Sequence, residues 1–121
     1  MVRAVLIGGH ASFRQALKNI FLSRFPSVAW AEAANGKDAI DLIETFPPDL
    51  ILIDIRLPGD NAFELTQRIK ARYPKVAALL LSSYDLPEYR EKACLHGADY
   101  FLIKDSPVED YFTLLESILS T

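Results

Sequence analysis

The chain is poor in the residues that build covalent or metal-held scaffolds. It has one cysteine, Cys94, and two histidines in 121 residues. A lone cysteine excludes an internal disulfide and a cysteine metal cluster. Basic residues are not in excess: 13 Lys and Arg against 16 Asp and Glu leave a net charge of −3, which gives no electrostatic footprint for nucleic acid. No stretch approaches the roughly 20 consecutive apolar residues that span a bilayer, so no membrane partner is expected. The opening Met1-Val2-Arg3-Ala4-Val5 runs into a strand pattern and has no signal-peptide character. A cytoplasmic protein is expected. Linkers and low-complexity tracts are also missing, and one domain over 1–121 is expected, long enough to bury a core.

What is present is a repeated alternation. Apolar, strand-like runs at Ala4–Ile7, Val28–Ala33, Leu50–Asp54, Val76–Leu81 and Tyr100–Ile103 are separated by amphipathic stretches. Four of these runs are continuously apolar, as expected of parallel strands covered on both faces; the second, broken by Glu32, suits an edge. Capping-box spacing at Ser12/Gln15, Asn61/Glu64, Asp85/Glu88 and Ser106/Glu109 predicts helix starts. Pro107 suits a first helical position, and Gly36 after Asn35 marks the second helix. Helical spacing predicts buried faces of Phe13, Leu17, Ile20 and Phe21 in the first helix, and of Val108, Phe112, Leu115 and Leu119 in the fifth. Five βα units with right-handed crossovers give an α/β fold, a doubly wound parallel sheet.

In such a sheet, ligands bind beyond the carboxyl ends of the strands, at the topological switch point. Asp54, Ser82 and Lys104 all fall at strand ends, and Gly8, Gly9 and His10 follow the first strand. A carboxylate ending a buried strand is costly unless something uses or neutralises it. A structural ion pair is the plain alternative for Asp54 and Lys104. A loop hydroxyl is the plain reading for Ser82, whose neighbour Ser83 could serve instead. Gly8-Gly9 lacks the G-x-G-x-x-G spacing and any Walker lysine, which argues against a nucleotide site. His10 near Ser12 has no nucleophile elbow. His96 and Cys94 read as surface and packing residues, and Trp30 could be core or exposed.

Three segments, Leu52-Ile53-Asp54-Ile55-Arg56-Leu57-Pro58-Gly59, Leu80-Leu81-Ser82-Ser83 and Gly97-Ala98-Asp99-Tyr100-Phe101-Leu102-Ile103-Lys104-Asp105, appear in an order and spacing that resembles the receiver domain of two-component response regulators over the whole chain. His10 and the Lys104-Asp105 pair look most like the LuxR-type regulators. The resemblance implies a flavodoxin-like fold with strand order 2-1-3-4-5. It implies Asp54 as phosphoacceptor, Ser82 as the hydroxyl that bonds the phosphoryl group, and Lys104 as the lysine that pairs with it. Phe101 matches the switch aromatic, and Arg56 the residue whose backbone carbonyl binds Mg²⁺ alongside Asp54. A histidine kinase or phosphotransfer protein would be the donor partner. LuxR-type regulators usually carry a DNA-binding effector after the receiver, which would lie outside these residues.

The departures are as specific as the matches. The family's two adjacent acidic residues after the first strand are Gly8 and Gly9 here, so Mg²⁺ is expected to bind weakly, and charge to come from Lys104 and Arg56. Ala62 and Tyr100 also stand where the family has glycine. Two classes therefore stay open: a phospho-switch acting through the surface of the fourth helix, fifth strand and fifth helix, and a phosphorylation-independent pseudo-receiver used for interaction or dimerisation. Tyr84, Leu86, Tyr89 and Tyr111 are candidate exposed contacts for a homodimer. A hydrolase or oxidoreductase is unsupported, because fold alone licenses no activity.

Overall fold

A computed structural model describes residues 2–120. The strands are β1 (Arg3–Ile7), β2 (Ala29–Ala33), β3 (Leu50–Asp54), β4 (Ala77–Ser82) and β5 (Tyr100–Ile103). The helices between and after them are α1 (Ala11–Arg24), α2 (Gly36–Thr45), α3 (Ala62–Arg72), α4 (Pro87–Leu95) and α5 (Val108–Leu119). All pairings are parallel and the order is β2-β1-β3-β4-β5, as expected.

Alternate residues of each inner strand face opposite cores. Val5, Ile7, Ile51, Ile53, Ala78 and Leu80 pack with α2 and α3 through Ile43, Phe63, Leu65 and Ile69. Ala4, Leu6, Leu50, Leu52, Leu79 and Leu81 pack with α1 and α5 through Leu17, Phe21, Tyr111 and Leu115. Every residue of β3 is buried, which explains its unbroken apolar run. The weaker β2 is indeed an edge, and β5 is the other, half-buried along its length.

The helix starts divide by chemistry. Asn35 caps α2 by accepting from the Asp38 N–H at 2.9 Å, and Asn61 caps α3 by accepting from Phe63 and Glu64. The other three expected caps are corrected. α1 starts from His10, α4 from Leu86 with Pro87 at its first position, and α5 from Pro107, which caps the helix instead of filling its first position as expected; none has a side-chain cap. Ser12 therefore lies inside α1, while Asp85 and Ser106 lie just outside their helices. Asp85 instead bonds Arg90 at 2.7 Å, so the box spacing there served an ion pair.

The face of α5 is corrected too. Tyr111 and Leu115 are buried, while Val108 is 40 % exposed and Phe112 half-buried beside Phe25. Tyr111 is thus core, not a surface contact; Tyr84 and Leu86 are exposed, and Tyr89 packs beside Phe63. Trp30 stacks on Phe21 at 5.0 Å, and Phe21 meets Tyr111 edge-on at 6.0 Å. These three rings tie β2, α1 and α5 together. Phe21→Ala should lower stability by about 3–5 kcal/mol, the usual cost of a buried Phe truncation. Urea unfolding followed by Trp30 emission measures it; a loss well under that range would mean the stack is not part of the core.

Candidate functional site

The register brings the sequence-predicted residues to one end of the sheet. Asp54 aligns with Leu81, one residue before Ser82, and Ser82 aligns with Ile103, one residue before Lys104. Three adjacent strands therefore present an acid, a hydroxyl and an ammonium at nearly one height. β1 ends beside them, with Ile7 opposite Ile53, so Gly8 lies against Asp54.

Asp54 is 3 % exposed, and both of its oxygens are engaged. Oδ1 accepts from the Arg56 backbone N–H at 2.9 Å, and Oδ2 is ion-paired with Lys104 Nζ. A buried carboxylate needs such partners to replace the water it has lost. The Lys104 ammonium also sits 4.7 Å above the ring of Phe13, a cation–π contact. Its backbone N–H donates to Ser82 O at 2.8 Å.

Ser82 is fully buried, but its hydroxyl turns into its own loop, accepting from Tyr84 N–H at 3.0 Å and donating to Tyr84 O at 2.8 Å. The structure thus joins Asp54 to Lys104 directly and keeps Ser82 one strand away, committed to the β4–α4 turn; Ser83 is exposed. Phe101 is half-buried, with the Arg90 guanidinium 4.9 Å over its ring. Arg90 is held in turn by Asp85, whose carboxyl it lowers through their hydrogen bond. Arg56 contributes its amide to Asp54 while its side chain is exposed, so the second charge expected there is not at the carboxylate.

The second cation is Arg14, which sequence reasoning missed. From the first turns of α1 its guanidinium donates to Gly8 O and, through Nε, to Glu32 Oε1 at 3.0 Å. It lines one small hollow together with Gly8, His10, Phe13 and Asp54. The available signal was position: a basic residue on the helix following the first strand's glycine turn, facing the acidic Glu32 that interrupts β2.

The residues present do not fit a Mg²⁺ ion. Among the described residues, Asp54 is the one carboxylate lining the hollow at the mouth, and its oxygens already have partners. A Cβ at Gly9 would lie 2.8 Å from Pro58 Cγ, so that ring closes the space a second acid would enter. A Cβ at Gly8 would meet Asp54 Cβ at 3.2 Å. The loop carrying Pro58 turns at Gly59, where φ is +70°, and is moored to α2 by Gly36 N–H donating to Asp60 at 2.9 Å. Among the described residues, no group of three or more His, Cys, Asp or Glu is placed to hold a metal.

A five-stranded doubly wound sheet with an acid–lysine pair at its switch point defines a receiver-type signalling domain. The chain belongs to the response regulator receiver domain family, whose profile matches residues 4–116. It is 32 % identical over 117 residues to the transcriptional regulatory protein DegU of Brevibacillus brevis, covering 97 % of this chain and 48 % of that protein. The receiver domain of the putative response regulator NarL of Mycobacterium tuberculosis has a TM-score of 0.84 at 30 % identity, over 99 % of this chain and 98 % of that one. A LuxR-family response regulator from Aurantimonas sp. SI85-9A1 gives 0.89 at 26 % identity, over 99 % and 86 %. The chain spans about half the length of the curated relatives it matches.

Gly8→Asp combined with Gly9→Asp should raise Mg²⁺ affinity at least roughly tenfold, the scale on which even supporting partners of a metal ligand act. The same change should lower the unfolding midpoint, because the new side chains press on Asp54 and Pro58. Titration calorimetry decides, and unchanged Mg²⁺ binding would contradict this placement of the site.

Proposed function

We propose that residues 1–121 act as a cytoplasmic phospho-switch in which Asp54 accepts a phosphoryl group from a histidine kinase or phosphotransfer protein. The observation that carries this reading is the buried Asp54 paired with Lys104 at the mouth of the sheet. Phosphoryl transfer needs an aligned acceptor oxygen and compensation of charge more than covalent help. Lys104 supplies that compensation, with Arg14 nearby as a second positive group. A new phosphoryl oxygen is a stronger acceptor than the Tyr84 backbone, so the Ser82 hydroxyl would leave its turn for it. That release loosens the β4–α4 loop beside Arg90 and Phe101, and the α4-β5-α5 surface changes. An attached DNA-binding effector, as the regulatory relatives' names imply for them, would read that surface.

A specific observation favours the second reading, a pseudo-receiver that binds or dimerises without phosphorylation. Both Asp54 oxygens are occupied, and Gly8-Gly9 with Pro58 leaves no metal cradle. The two readings separate in one assay. After incubation with acetyl phosphate, intact-mass analysis should show a single phosphoryl adduct that is lost in Asp54→Asn. No adduct in the unaltered chain would establish the pseudo-receiver instead.

Asp54→Asn should keep its fold, since Asn can still accept from Arg56 N–H and the released Lys104, 15 % exposed in its side chain, can turn to water. Circular dichroism checks this, and a collapsed spectrum would show that the acid is needed for structure rather than chemistry.

A further inference from the structure

Lys104 is the first residue past β5, and its peptide is held from two sides. On one side its N–H donates to Ser82 O of β4 at 2.8 Å. On the other side the chain has already left β5, a sheet edge paired with β4 alone among the described residues, and turns at Lys104, so its carbonyl takes no ladder bond. That carbonyl accepts instead from the Tyr111 hydroxyl, at 2.6 Å, seven residues further along on α5. Tyr111 is buried, lies edge-on to Phe21, and through Phe21 is backed by the Trp30 stack. A file of three rings anchored in the α1–α5 core therefore ends in a hydroxyl aimed at the backbone that carries the site's ammonium.

We propose that Tyr111 is a positioning residue of the acceptor site: its hydroxyl holds the Lys104 peptide so that the ammonium stays on Asp54. The functional consequence rests on the reading of Asp54 as phosphoryl acceptor. The hydroxyl alone makes this contact, because Phe would fill the same core volume without reaching Lys104. A lysine side chain is a flexible four-carbon stem, so where its ammonium rests depends on where its main chain is fixed. Phe13 above and Asp54 below define a narrow seat for that ammonium, and a shifted peptide would leave it short of one or the other. Burial, and secondarily the Asp105 carboxylate, push the Tyr111 phenol up to about 12, so it stays a donor in neutral and mildly alkaline solution. Trp30, Phe21 and Tyr111 also give the site a mechanical link to the α1–α5 side of the molecule.

The test is Tyr111→Phe, read in two ways on the full chain. The first readout is the ¹⁵N-detected ammonium resonance of Lys104, assigned by its loss in Lys104→Met and recorded well below the unfolding midpoint. It should be sharp in the unaltered chain and broadened in Tyr111→Phe, which keeps the ring in the core. A purely structural role would lower the midpoint yet leave that resonance sharp, and this outcome overturns the proposal. The second readout is the rate of Asp54 modification by acetyl phosphate, which should fall about fivefold, the effect of one ordinary hydrogen bond. Broadening in a chain that acetyl phosphate does not modify at all would support the positioning role and remove the acceptor reading. An unchanged rate with an unchanged resonance would overturn the positioning role and leave the acceptor reading in place.

Discussion

The ion pair between Asp54 and Lys104 is the constraint around which this domain is arranged. A carboxylate at 3 % exposure has lost its water, so opposite charge and donors must meet it inside the protein. Removing one member of such a pair typically costs about 3–5 kcal/mol when the other cannot reach water. Supplying both members requires β3 and β5 to end at one level with β4 between them, which the strand order provides. Around the pair, Arg56 N–H fixes one acid oxygen, Phe13 covers the ammonium, and Ser82 O and Tyr111 hold the lysine's main chain. The site is thus assembled from the ends of three strands, a loop and two helices.

The glycine pair after β1 changes what that arrangement can do. With carboxylates at these positions, a divalent cation would be the chief positive charge facing Asp54. With Gly8 and Gly9, the carboxylate is left to Lys104, and the Gly8 carbonyl is taken by Arg14. Arg14 is oriented by Glu32, which Lys18 also approaches at 3.7 Å, so the interruption that made β2 look like a poor strand is part of the charge balance of the site. Pro58 packs where a side chain at position 9 would begin.

Much of this was legible in the sequence, for physical reasons that differ between elements. Parallel strands buried on both faces must be apolar throughout, so Leu50–Asp54 and Val76–Leu81 announced themselves, and a charge ending such a run stood out. Asn caps were readable because Asn bonds its own helix's first amides. Ser12, Asp85 and Ser106 misled because box spacing occurs wherever polar residues precede a helix; Asp85 answered to Arg90, and Pro87 and Pro107 set their helix starts one or two residues on. Tyr111 was misread because a phenol suits surface and core alike, and only the nearby Lys104 carbonyl decides between them. Arg14 left only its position, after the glycine turn and facing Glu32, since contacts to a backbone carbonyl carry no motif.

We propose Lys104, and not a divalent ion, as the positive charge that serves Asp54. The most direct measurement is the rate of Asp54 modification by a small phosphodonor as Mg²⁺ is raised from full chelation to saturating excess. A rate that stays level across that range is the expected result. A rate that is negligible under chelation and climbs to saturation with Mg²⁺ would contradict it, and would mean that Asp54 gives up Lys104 to a metal held by groups other than positions 8 and 9.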